Sequence, residues 1–366
     1  MTKAGIKIEN IHLSFGQTKV LKGVNLDIKP GEFFAFLGPS GSGKSTLLRA
    51  IAGFGPHPKG RILIGDRDVV GLDPWVRNVG MVFQSYALWP HLRVRDNVAF
   101  GLKERRVPPE QIKSKVDAAL ELVDLAHLAD RIPNQLSGGQ QQRIALARTI
   151  VVEPEVLLLD EPLSNLDASL RVQMRRELLR LQRQLGLTTI FVTHDQEEAL
   201  SLADQMAVLR DGLLVQAGPP RQLYDAPNSR FTASFLGETN FVDGTIESID
   251  GDSTLVKTPL GVLRSNRSLT KANVGDEVSV SLRPEAFRLG TAPEGWNPVS
   301  TTLRRSMFLG ETAQLEVATD SISRLGERWS QALSARSAAK LTHLAQAAWL
   351  PPWPSRELAP AVGMTT

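Results

Sequence analysis

A glycine-rich segment near the N-terminus limits the fold more than any other feature of this 366-residue chain. Residues 38–46 read Gly-Pro-Ser-Gly-Ser-Gly-Lys-Ser-Thr, which matches the phosphate-binding pattern G-x-x-x-x-G-K-[ST]. The apolar run 33–37 before it predicts a buried strand, and the residues after it predict a helix over 46–52. A strand, a glycine loop and a helix in this order predict an α/β fold that binds the phosphates of a nucleotide.

Each residue type in this loop has a chemical role in binding phosphate. Glycines let consecutive backbone N–H groups face phosphate oxygens, and the helix dipole adds partial positive charge. Lys44 can reach the terminal phosphates, and the Ser45 hydroxyl can ligate Mg²⁺. The alternative, an ordinary glycine-rich turn, is disfavoured by the motifs that follow. The predicted nucleotide-binding residues of the loop are Gly38, Pro39, Ser40, Gly41, Ser42, Gly43, Lys44, Ser45 and Thr46.

The composition excludes several other classes of protein. No run approaches the ~18 apolar residues of a membrane span, and the N-terminus lacks the apolar core of a signal peptide, so we expect a cytoplasmic protein. The 42 basic and 39 acidic residues nearly balance, which argues against nucleic acid as a partner. Cysteine is absent and the six histidines are scattered. We therefore expect no disulfide and no metal site other than that of nucleotide-bound Mg²⁺.

Polar side chains follow two further apolar runs that predict buried strands. The run 156–159 ends in Asp160 and Glu161, and the run 188–193 is followed by His194. Ligands of parallel sheets bind at the carboxyl ends of the strands. Asp160 is therefore placed to hold Mg²⁺, Glu161 to polarise a water against the γ-phosphate, and His194 to donate a hydrogen bond to it. The alternatives are a surface acid pair and a structural histidine.

Four other positions or segments leave alternatives open. The Phe15 ring could stack on adenine or pack in the core. Gln84, at the end of a strand-like run, could reach Mg²⁺ or the attacking water, or could lie in a buried loop. The aromatic residues at 86–91 could form an exposed apolar patch for a partner, or the segment could be a buried loop. Ser137, before two glycines at a helix start, could bind an anion or simply cap the helix.

Hydrophobic spacing predicts most of the remaining elements of the first two-thirds of the chain. We expect strands over 6–15, 20–28, 61–64 and 79–83, and a helical insertion over 92–135. Asp211 and Gly212 between two apolar runs predict a β-hairpin. A helix closed by Gly186 is expected to face the core through Leu170, Met174, Leu178, Leu181 and Leu185.

Taken together and in this order, these residues resemble the ATP-binding subunit of an ABC importer. The matching motifs are the Walker A loop 38–46, the Q-loop residue Gln84, the signature 136–140, Walker B with its glutamate at 156–161, the D-loop 164–167 and the switch residue His194. The resemblance continues more weakly over 241–289, where Leu282-Arg283-Pro284-Glu285 is similar to the small β domain of the maltose, polyamine and ferric-iron importer ATPases.

The resemblance implies a domain organisation. A P-loop NTPase core of the ABC ATPase type would occupy 1–237, with a helical subdomain at about 88–150. A C-terminal OB-like β-barrel would occupy 238–320. From about Ser321 the alternating pattern of strands stops, and Ala, Ser, Arg and Trp dominate. We expect 321–366 to be divergent or frame-shifted and incompletely folded.

The resemblance also implies a homodimer that closes over ATP and Mg²⁺. The phosphate loop of one protomer and the signature of the other would hold the nucleotide, Glu161 would act as the general base, and Gln84 and His194 would sense the γ-phosphate. The implied nucleotide-binding residues are Phe15, loop 38–46, Ser137, Gly139, Gln140 and Asp167; the implied Mg²⁺ ligands are Ser45, Gln84 and Asp160; the implied catalytic residues are Lys44, Gln84, Glu161 and His194.

The implied partners lie at the membrane. ATP hydrolysis would drive two transmembrane permease subunits from the cytoplasmic face of the inner membrane, and an extracytoplasmic solute-binding protein would act through them. The aromatic residues after Gln84 would receive a coupling helix of the permease. Polyamine, ferric-iron, phosphonate and sugar systems share this ATPase type, and the residues at 87–91 favour the first three.

Two departures from the family pattern and two alternative functions remain. Phe15 stands where tyrosine is more common, and Asn165 replaces the small residue usual in the D-loop. One alternative is a soluble ABC ATPase of DNA repair or translation, but the coiled coils, zinc modules or tandem cassettes of those proteins do not occur here. The other is a regulatory binding module whose C-terminal domain matters more than its turnover. The presence of Glu161 and His194 argues against an inactive ATPase.

Overall fold

The computed structural model describes the chain over residues 3–251, 253–265, 272–290, 292–308, 312–319, 329–334 and 346–350. The chain divides into two compact units, the first ending at Pro220 and the second beginning at Arg221. Among the described residues, no helix is both long and apolar enough to cross a membrane.

A six-stranded sheet forms the centre of the first unit. Its strands are β3 (Phe33–Leu37), β6 (Val79–Val82), β7 (Val156–Asp160), β8 (Thr188–Thr193), β9 (Gln205–Arg210) and β10 (Leu213–Gly218). The order is β10-β9-β3-β8-β7-β6, and all neighbours are parallel except the β9–β10 hairpin. Every residue of β3, β7 and β8 is buried, as expected for parallel strands covered on both faces.

A smaller antiparallel sheet covers one side of this core. Its strands are β1 (Ile6–Phe15), β2 (Thr18–Ile28), β4 (Lys59–Ile64) and β5 (Arg67–Asp68), in the order β2-β1-β4-β5. Alternate residues of β1 are buried, which is the pattern of a strand with one covered face. The inward side chains pack with the central sheet and with helix α1 (Lys44–Ala52) in one hydrophobic core.

The helices confirm the predicted helical insertion. The segment 92–135 contains α2 (Val94–Glu104), α3 (Pro109–Leu122) and two 3₁₀ turns, and with α4 (Gly138–Ile150) it builds a separate apolar core. The remaining helices are α5 (Ala168–Leu185), α6 (Gln196–Leu202), α7 (Pro220–Asp225) and α8 (Arg230–Phe235).

The predicted core-facing residues of helix α5 are fully buried only in the middle of the helix. Met174, Leu178 and Leu181 are buried, whereas Leu170 and Leu185 near the two ends are half-buried. The helix ends at Gly186, which adopts a left-handed conformation, as a C-terminal glycine often does.

The second unit contains two antiparallel sheets. The first has the order β13-β12-β11-β14 and the second β15-β19-β16-β17-β18. Inward apolar side chains of the first sheet, with Phe287, Val299 and Val317, form a core of their own. The strands are β11 (Asn240–Asp250), β12 (Ser253–Thr258), β13 (Gly261–Ser265), β14 (Glu277–Leu282), β15 (Arg288–Leu289), β16 (Asn297–Phe308), β17 (Thr312–Ala318), β18 (Trp329–Ser334) and β19 (Gln346–Leu350).

Arg283 gives the motif at 282–285 a structural role within this unit. Its guanidinium donates hydrogen bonds to the carbonyls of Ala233 at 2.9 Å, Gly237 at 3.1 Å and Glu238 at 3.2 Å, which lie at the end of α8. It also stacks 4.1 Å above the ring of Tyr224 in α7. A cation placed on helix-end carbonyls satisfies acceptors that the helix itself leaves open. The motif therefore fastens both short helices to the strand that precedes it.

The predicted atypical tail, 321–366, lies mostly outside the described residues. Two strands are described within it: β18 pairs with β17, and β19 pairs with β15 and β16. The sequence pattern there gives no sign of strands, so these two segments differ from the expectation. The frame-shift hypothesis for the tail stays a prediction.

Candidate nucleotide-binding site

The carboxyl ends of four neighbouring strands carry most of the predicted site residues. Strand β3 leads into Gly38, β7 ends at Asp160, β8 leads into His194, and Gln84 follows β6. These strands run parallel in the order β3-β8-β7-β6, so their carboxyl ends meet at one edge of the sheet.

Loop 38–46 folds closely around its own lysine. The Lys44 ammonium, at the start of α1, donates hydrogen bonds to the carbonyls of Gly38 at 2.7 Å and Pro39 at 2.9 Å. Burial lowers the pKa of Lys44, and the carboxylates of Glu161 and Asp160 oppose that shift. A buried ammonium in this position gains most from a phosphate, because no carboxylate is bonded to it directly.

Two other features of the loop fit a phosphate group. The Ser42 hydroxyl oxygen is buried and has no hydrogen-bond partner among the described residues, so it fits a ligand that supplies one. A Cβ on Gly38 would lie 2.2 Å from the carbonyl oxygen of Leu209 in β9, so only glycine lets the loop approach that strand. The nucleotide site is therefore built against the end of β9 as well as that of β3.

Ser45 and Asp160 lie side by side at the start of α1 and the end of β7. The Ser45 hydroxyl donates to Asp160 Oδ1 at 2.9 Å, and Arg49 Nη2 lies 3.5 Å from Asp160 Oδ2. A hydroxyl and a carboxylate are oxygen ligands of the kind that Mg²⁺ prefers beside nucleotide phosphates. The residues present thus fit the metal, and Arg49, which the sequence did not single out, places a cation at the same carboxylate.

Glu161, which follows β7, contacts residues that follow the two neighbouring strands β6 and β8. Its Oε2 accepts a hydrogen bond from Gln84 Nε2 at 3.1 Å and lies 3.5 Å from His194 Nδ1. Its backbone N–H donates to the carbonyl of Val192 in β8 at 3.1 Å. With φ at 46°, Glu161 is left-handed, a conformation that costs a non-glycine residue free energy and that clusters at functional sites.

D-loop residues hold Gln84 in place. The Ser164 hydroxyl lies 3.3 Å from Gln84 Nε2, and Asn165 Nδ2 donates to the backbone carbonyl of Gln84 at 2.8 Å. Asn165 therefore has a specific contact that a small residue at this position would lack. The Q-loop and D-loop residues are brought together in one protomer.

The loop after Gln84 is held by the far end of the signature helix α4. Tyr86 and Ala87 are both left-handed, and Arg148 donates to their carbonyls at 2.8 Å and 2.7 Å. The same guanidinium lies 4.8 Å above Trp89. Tyr86 is only 5% exposed, so the predicted exposed aromatic patch is wrong for Tyr86, because its ring is turned into the protein. The role of Arg148 carried no sequence signal.

The signature and D-loop residues cap two helices. Ser137 is the N-cap of α4, and its N–H donates to Gln140 Oε1 at 2.9 Å, so the predicted helix cap is present. Asp167 caps α5 by accepting from the N–H of Leu170 at 2.9 Å. That bond and one from Ser169 lower the pKa of Asp167. Within the described residues, the hydrogen bonds of these two caps stay at their own helix starts and do not reach loop 38–46.

Phe15 is half exposed, so the core-packing alternative is wrong for it. Its ring borders a cleft of about 310 Å³ whose lining includes Thr46 of the loop and Arg49. The rings of Phe54 and Phe83 complete the apolar wall, 5.8 Å apart. An exposed ring at the edge of a cleft beside the phosphate loop is placed to contact a flat group.

The β9–β10 hairpin also supports the loop. Asp211 and Gly212 are both left-handed, as the predicted turn requires. Gly212 N–H donates to the carbonyl of Ser42 at 3.1 Å, and its carbonyl accepts from Lys22 N–H at 3.0 Å. The sequence predicted this turn but gave no sign that it contacts the phosphate-binding loop.

Comparisons with known proteins agree on one family. The family profile described as ABC transporter matches residues 21–164. The chain is 47% identical over 313 residues to the spermidine/putrescine import ATP-binding protein PotA of Marinobacter nauticus, covering 85% of this chain and 84% of the relative. It is 46% identical over 282 residues to the Fe(3+) ions import ATP-binding protein FbpC of Fusobacterium nucleatum, covering 77% and 75%.

Two further similarities extend this result. The maltose/maltodextrin import ATP-binding protein MalK of Vibrio vulnificus is 47% identical over 285 residues, with 77% of each chain covered. Among solved structures, cbiO1 of Clostridium perfringens, part of the ABC transporter complex cbiONQ, is 33% identical with a TM-score of 0.56, covering 60% of this chain and 90% of that one.

Proposed function

The chain belongs to the ABC transporter family as an ATP-binding subunit of the importer type, and on this premise we propose that it hydrolyses ATP with Glu161 as the general base. The observation that supports this role best is the convergence of Gln84 and His194 on the Glu161 carboxylate, at 3.1 Å and 3.5 Å. Import ATPases of this family work with membrane permease components. None of the relatives favours the alternative of DNA repair or translation.

Loop 38–46 binds the triphosphate in this proposal. The backbone N–H groups at the start of α1 and the Ser42 hydroxyl face the phosphates, and the Lys44 ammonium exchanges its carbonyl partners for γ- and β-phosphate oxygens. Phe15 contacts the adenine from the cleft beside Thr46. Ser45, Asp160 and Gln84 would hold Mg²⁺, which supplies charge neutralisation between the phosphates.

Glu161 then orients and deprotonates the attacking water. The Glu161 carboxylate accepts the water proton. Gln84 and His194 fix the direction of this carboxylate and sense the γ-phosphate. His194 is exposed and can turn from Glu161 to donate to the γ-phosphate. Positioning and charge stabilisation are most of what phosphoryl transfer requires from a protein.

A second copy of the chain completes the site. Ser137, Gly139, Gln140 and Asp167 are predicted nucleotide contacts, yet in the protomer their described hydrogen bonds stay at their own helix starts. We place them against the nucleotide of the opposite protomer in a homodimer. Closure of the dimer would then assemble the catalytic residues, which is how ATP turnover could be coupled to movement of a permease.

The remaining assignments follow from the same premise. The ATPase domain would extend over 1–237 and an OB-like β domain over 238–320. The dimer would lie at the cytoplasmic face of the inner membrane, bound to two permease subunits that an extracytoplasmic binding protein supplies. The proposed solute is a polyamine, ferric iron, a phosphonate or a sugar, and the names of the relatives include iron, polyamine and maltodextrin.

Replacement of Glu161 by Gln tests the proposed base. The amide keeps the shape and the contact with Gln84 but cannot accept the water proton, so turnover should fall by ~10² or more. ATP affinity, measured with a fluorescent ATP analogue, should stay near that of the wild type. Steady-state phosphate release gives the turnover number. Normal hydrolysis in Glu161→Gln would refute the role, and Glu121→Gln, an exposed acid of α3, is the control.

A further inference from the structure

Arg171 touches two separate segments of the proposed site. It lies at the end of the first turn of α5, which the D-loop precedes. Its Nη1 donates to Asp195 Oδ2 at 3.1 Å, and its Nη2 donates to the carbonyl of Leu166 at 3.3 Å. Leu166 is in the D-loop and Asp195 directly follows His194. One planar guanidinium therefore joins the D-loop to the segment that carries His194.

The residues on both sides of His194 are fixed by a small polar network. Asp195 N–H donates to the Thr193 hydroxyl oxygen at 3.0 Å, and that hydroxyl donates to Glu198 Oε2 at 2.6 Å. Asp195 Oδ1 accepts from Glu198 N–H at 3.1 Å, which caps α6. The His194 side chain itself is 60% exposed. Its direction is therefore set mainly by the backbone that this network holds.

We propose that Arg171 is a positioning residue that couples the D-loop to His194. The inference rests on the proposed function, in which His194 acts beside Glu161 and the D-loop meets a second protomer. A shift of the D-loop moves the Leu166 carbonyl, the guanidinium follows it, and Asp195 with the His194 backbone follows the guanidinium. The rigid fork of arginine suits this task because it bonds two acceptors in fixed relative positions. His194 is thus aligned with Glu161 when the D-loop is in its place.

Arg175, one turn further along α5, provides a control that distinguishes this coupling from general contact between α5 and α6. It pairs with Glu197 of α6 at 3.2 Å. Arg171 likewise pairs with a carboxylate of α6, that of Glu198 at 3.9 Å. Only Arg171 also bonds the D-loop carbonyl and the neighbour of His194. A loss seen for Arg171 and not for Arg175 cannot come from the α5–α6 ion pairs in general.

The first experiment compares Arg171→Met with Arg175→Met in the full-length protein. We expect Arg171→Met to lower kcat for ATP by between about 10- and 100-fold, because sub-ångström misplacement of a catalytic group has effects of this size. KM and the affinity for a fluorescent ATP analogue should stay within about twofold, since neither contact involves loop 38–46. Arg171→Lys, which keeps the charge but not the fork, should recover only part of the loss, and Arg175→Met should retain wild-type kcat.

The second experiment combines Arg171→Met with His194→Ala. If Arg171 acts through His194, the double variant should turn over no more slowly than His194→Ala alone. Additive losses, or an equal loss in Arg175→Met, would overturn the coupling. Normal kcat in Arg171→Met with an impaired His194→Ala would overturn it too and leave the proposed function intact, whereas normal kcat in His194→Ala would overturn both. If Arg171→Met does not fold, Asp195→Asn breaks the same ion pair while its amide oxygen still caps α6, and the same outcomes apply.

Discussion

Glu198 is a buried carboxylic acid that accepts a hydrogen bond from Thr193, the residue before His194. It is 3% exposed, and burial raises its pKa above the ordinary 4.5. The Asp195 carboxylate raises this pKa further. The hydrogen bond from Thr193 and the charges of Arg171 and Arg175 lower it in part. The ionised form is therefore less favourable in the folded chain than in the unfolded chain.

The raised pKa of Glu198 predicts a pH-dependent loss of stability. A group whose pKa is higher in the folded state stabilises fully below its unfolded value of about 4.5, and this contribution is lost as the pH rises through the raised value. Glu198→Gln removes the ionisation and keeps an oxygen for Thr193. We expect the variant to gain free energy of unfolding relative to wild type as the pH rises above 4.5, by up to about 1.4 kcal/mol for each unit of the shift.

Urea unfolding at a series of pH values measures this difference. Below pH 4.5 the two proteins should differ by a constant amount, since Glu198 is then protonated in both states. A difference that does not change with pH would contradict the raised pKa. Glu121→Gln, at an exposed position of α3, controls for the loss of one acidic residue.

At the scale of elements, the sequence predicts best where one physical signal dominates. The buried strands β3 and β8 have the predicted bounds 33–37 and 188–193, because short segments rich in aromatic or β-branched residues favour buried strands over helices. The end of α5 at Gly186 was predicted for the same kind of reason. These elements also fix where the acids, the glutamine and the histidine of the site lie along the sheet edge.

The arginines that connect these elements could not be predicted. Arg77 is 1% exposed and donates to the carbonyls of Ala50 and Ile51 at 2.7 Å and 2.9 Å, at the end of α1. Arg148 and Arg171 likewise bond backbone carbonyls of loops. Every residue has a backbone carbonyl. A sequence pattern therefore cannot indicate which carbonyl an arginine will bond. The left-handed conformation of Glu161 could not be predicted from the sequence either, because glutamate is not among the residues, such as Gly, Asn and Asp, that favour it.

The β9–β10 hairpin gives a prediction at this scale. A Cβ on Gly212 would lie 2.1 Å from the carbonyl oxygen of Val20 in β2, and φ at this position is +80°. Gly212→Ala should therefore lower the free energy of unfolding by about 2–4 kcal/mol, since strain and overlap add. It should also weaken ATP binding, because relief of the overlap with Val20 moves the backbone N–H of residue 212 away from the Ser42 carbonyl of the phosphate loop.

Gly71 supplies the matched control for this variant. Its φ is +81°, nearly that of Gly212, but a Cβ there would meet nothing within 4 Å. Gly71→Ala should cost only the conformational part, about 1 kcal/mol, with unchanged affinity for ATP. Thermal or urea unfolding and titration with a fluorescent ATP analogue measure both quantities. Equal effects of the two substitutions would show that the hairpin does not support the loop.

At the scale of the whole molecule, the proposed shared site rests on two groups of residues that no described hydrogen bond joins within one chain. Lys44, Asp160, Glu161 and His194 lie at one sheet edge. Ser137 lies exposed at the start of α4, and its hydrogen bonds to described residues are made within that helix start. In a symmetric dimer each protomer would give its phosphate loop to one site and its signature to the other.

Two inactive variants should therefore restore each other when mixed. Ser137→Arg blocks the signature half and leaves the phosphate loop and Glu161 intact, whereas Glu161→Gln removes the base and leaves Ser137 intact. A mixed dimer holds one site with an intact loop, base and signature. Random exchange makes half of the dimers mixed, and each has one of two sites intact, so about a quarter of wild-type turnover should return if the sites act independently.

Mixing Glu161→Gln with Lys44→Met distinguishes true complementation from mere exchange. Both of these lesions lie in the same half of the site, so every site of their mixed dimer keeps a defect and no activity should return. The comparison needs only phosphate release from equimolar mixtures, with labelled subunits to verify that exchange occurred. If the first mixture stayed as inactive as its components although exchange was complete, each chain would hydrolyse ATP without the signature of the other, and the shared site would be wrong.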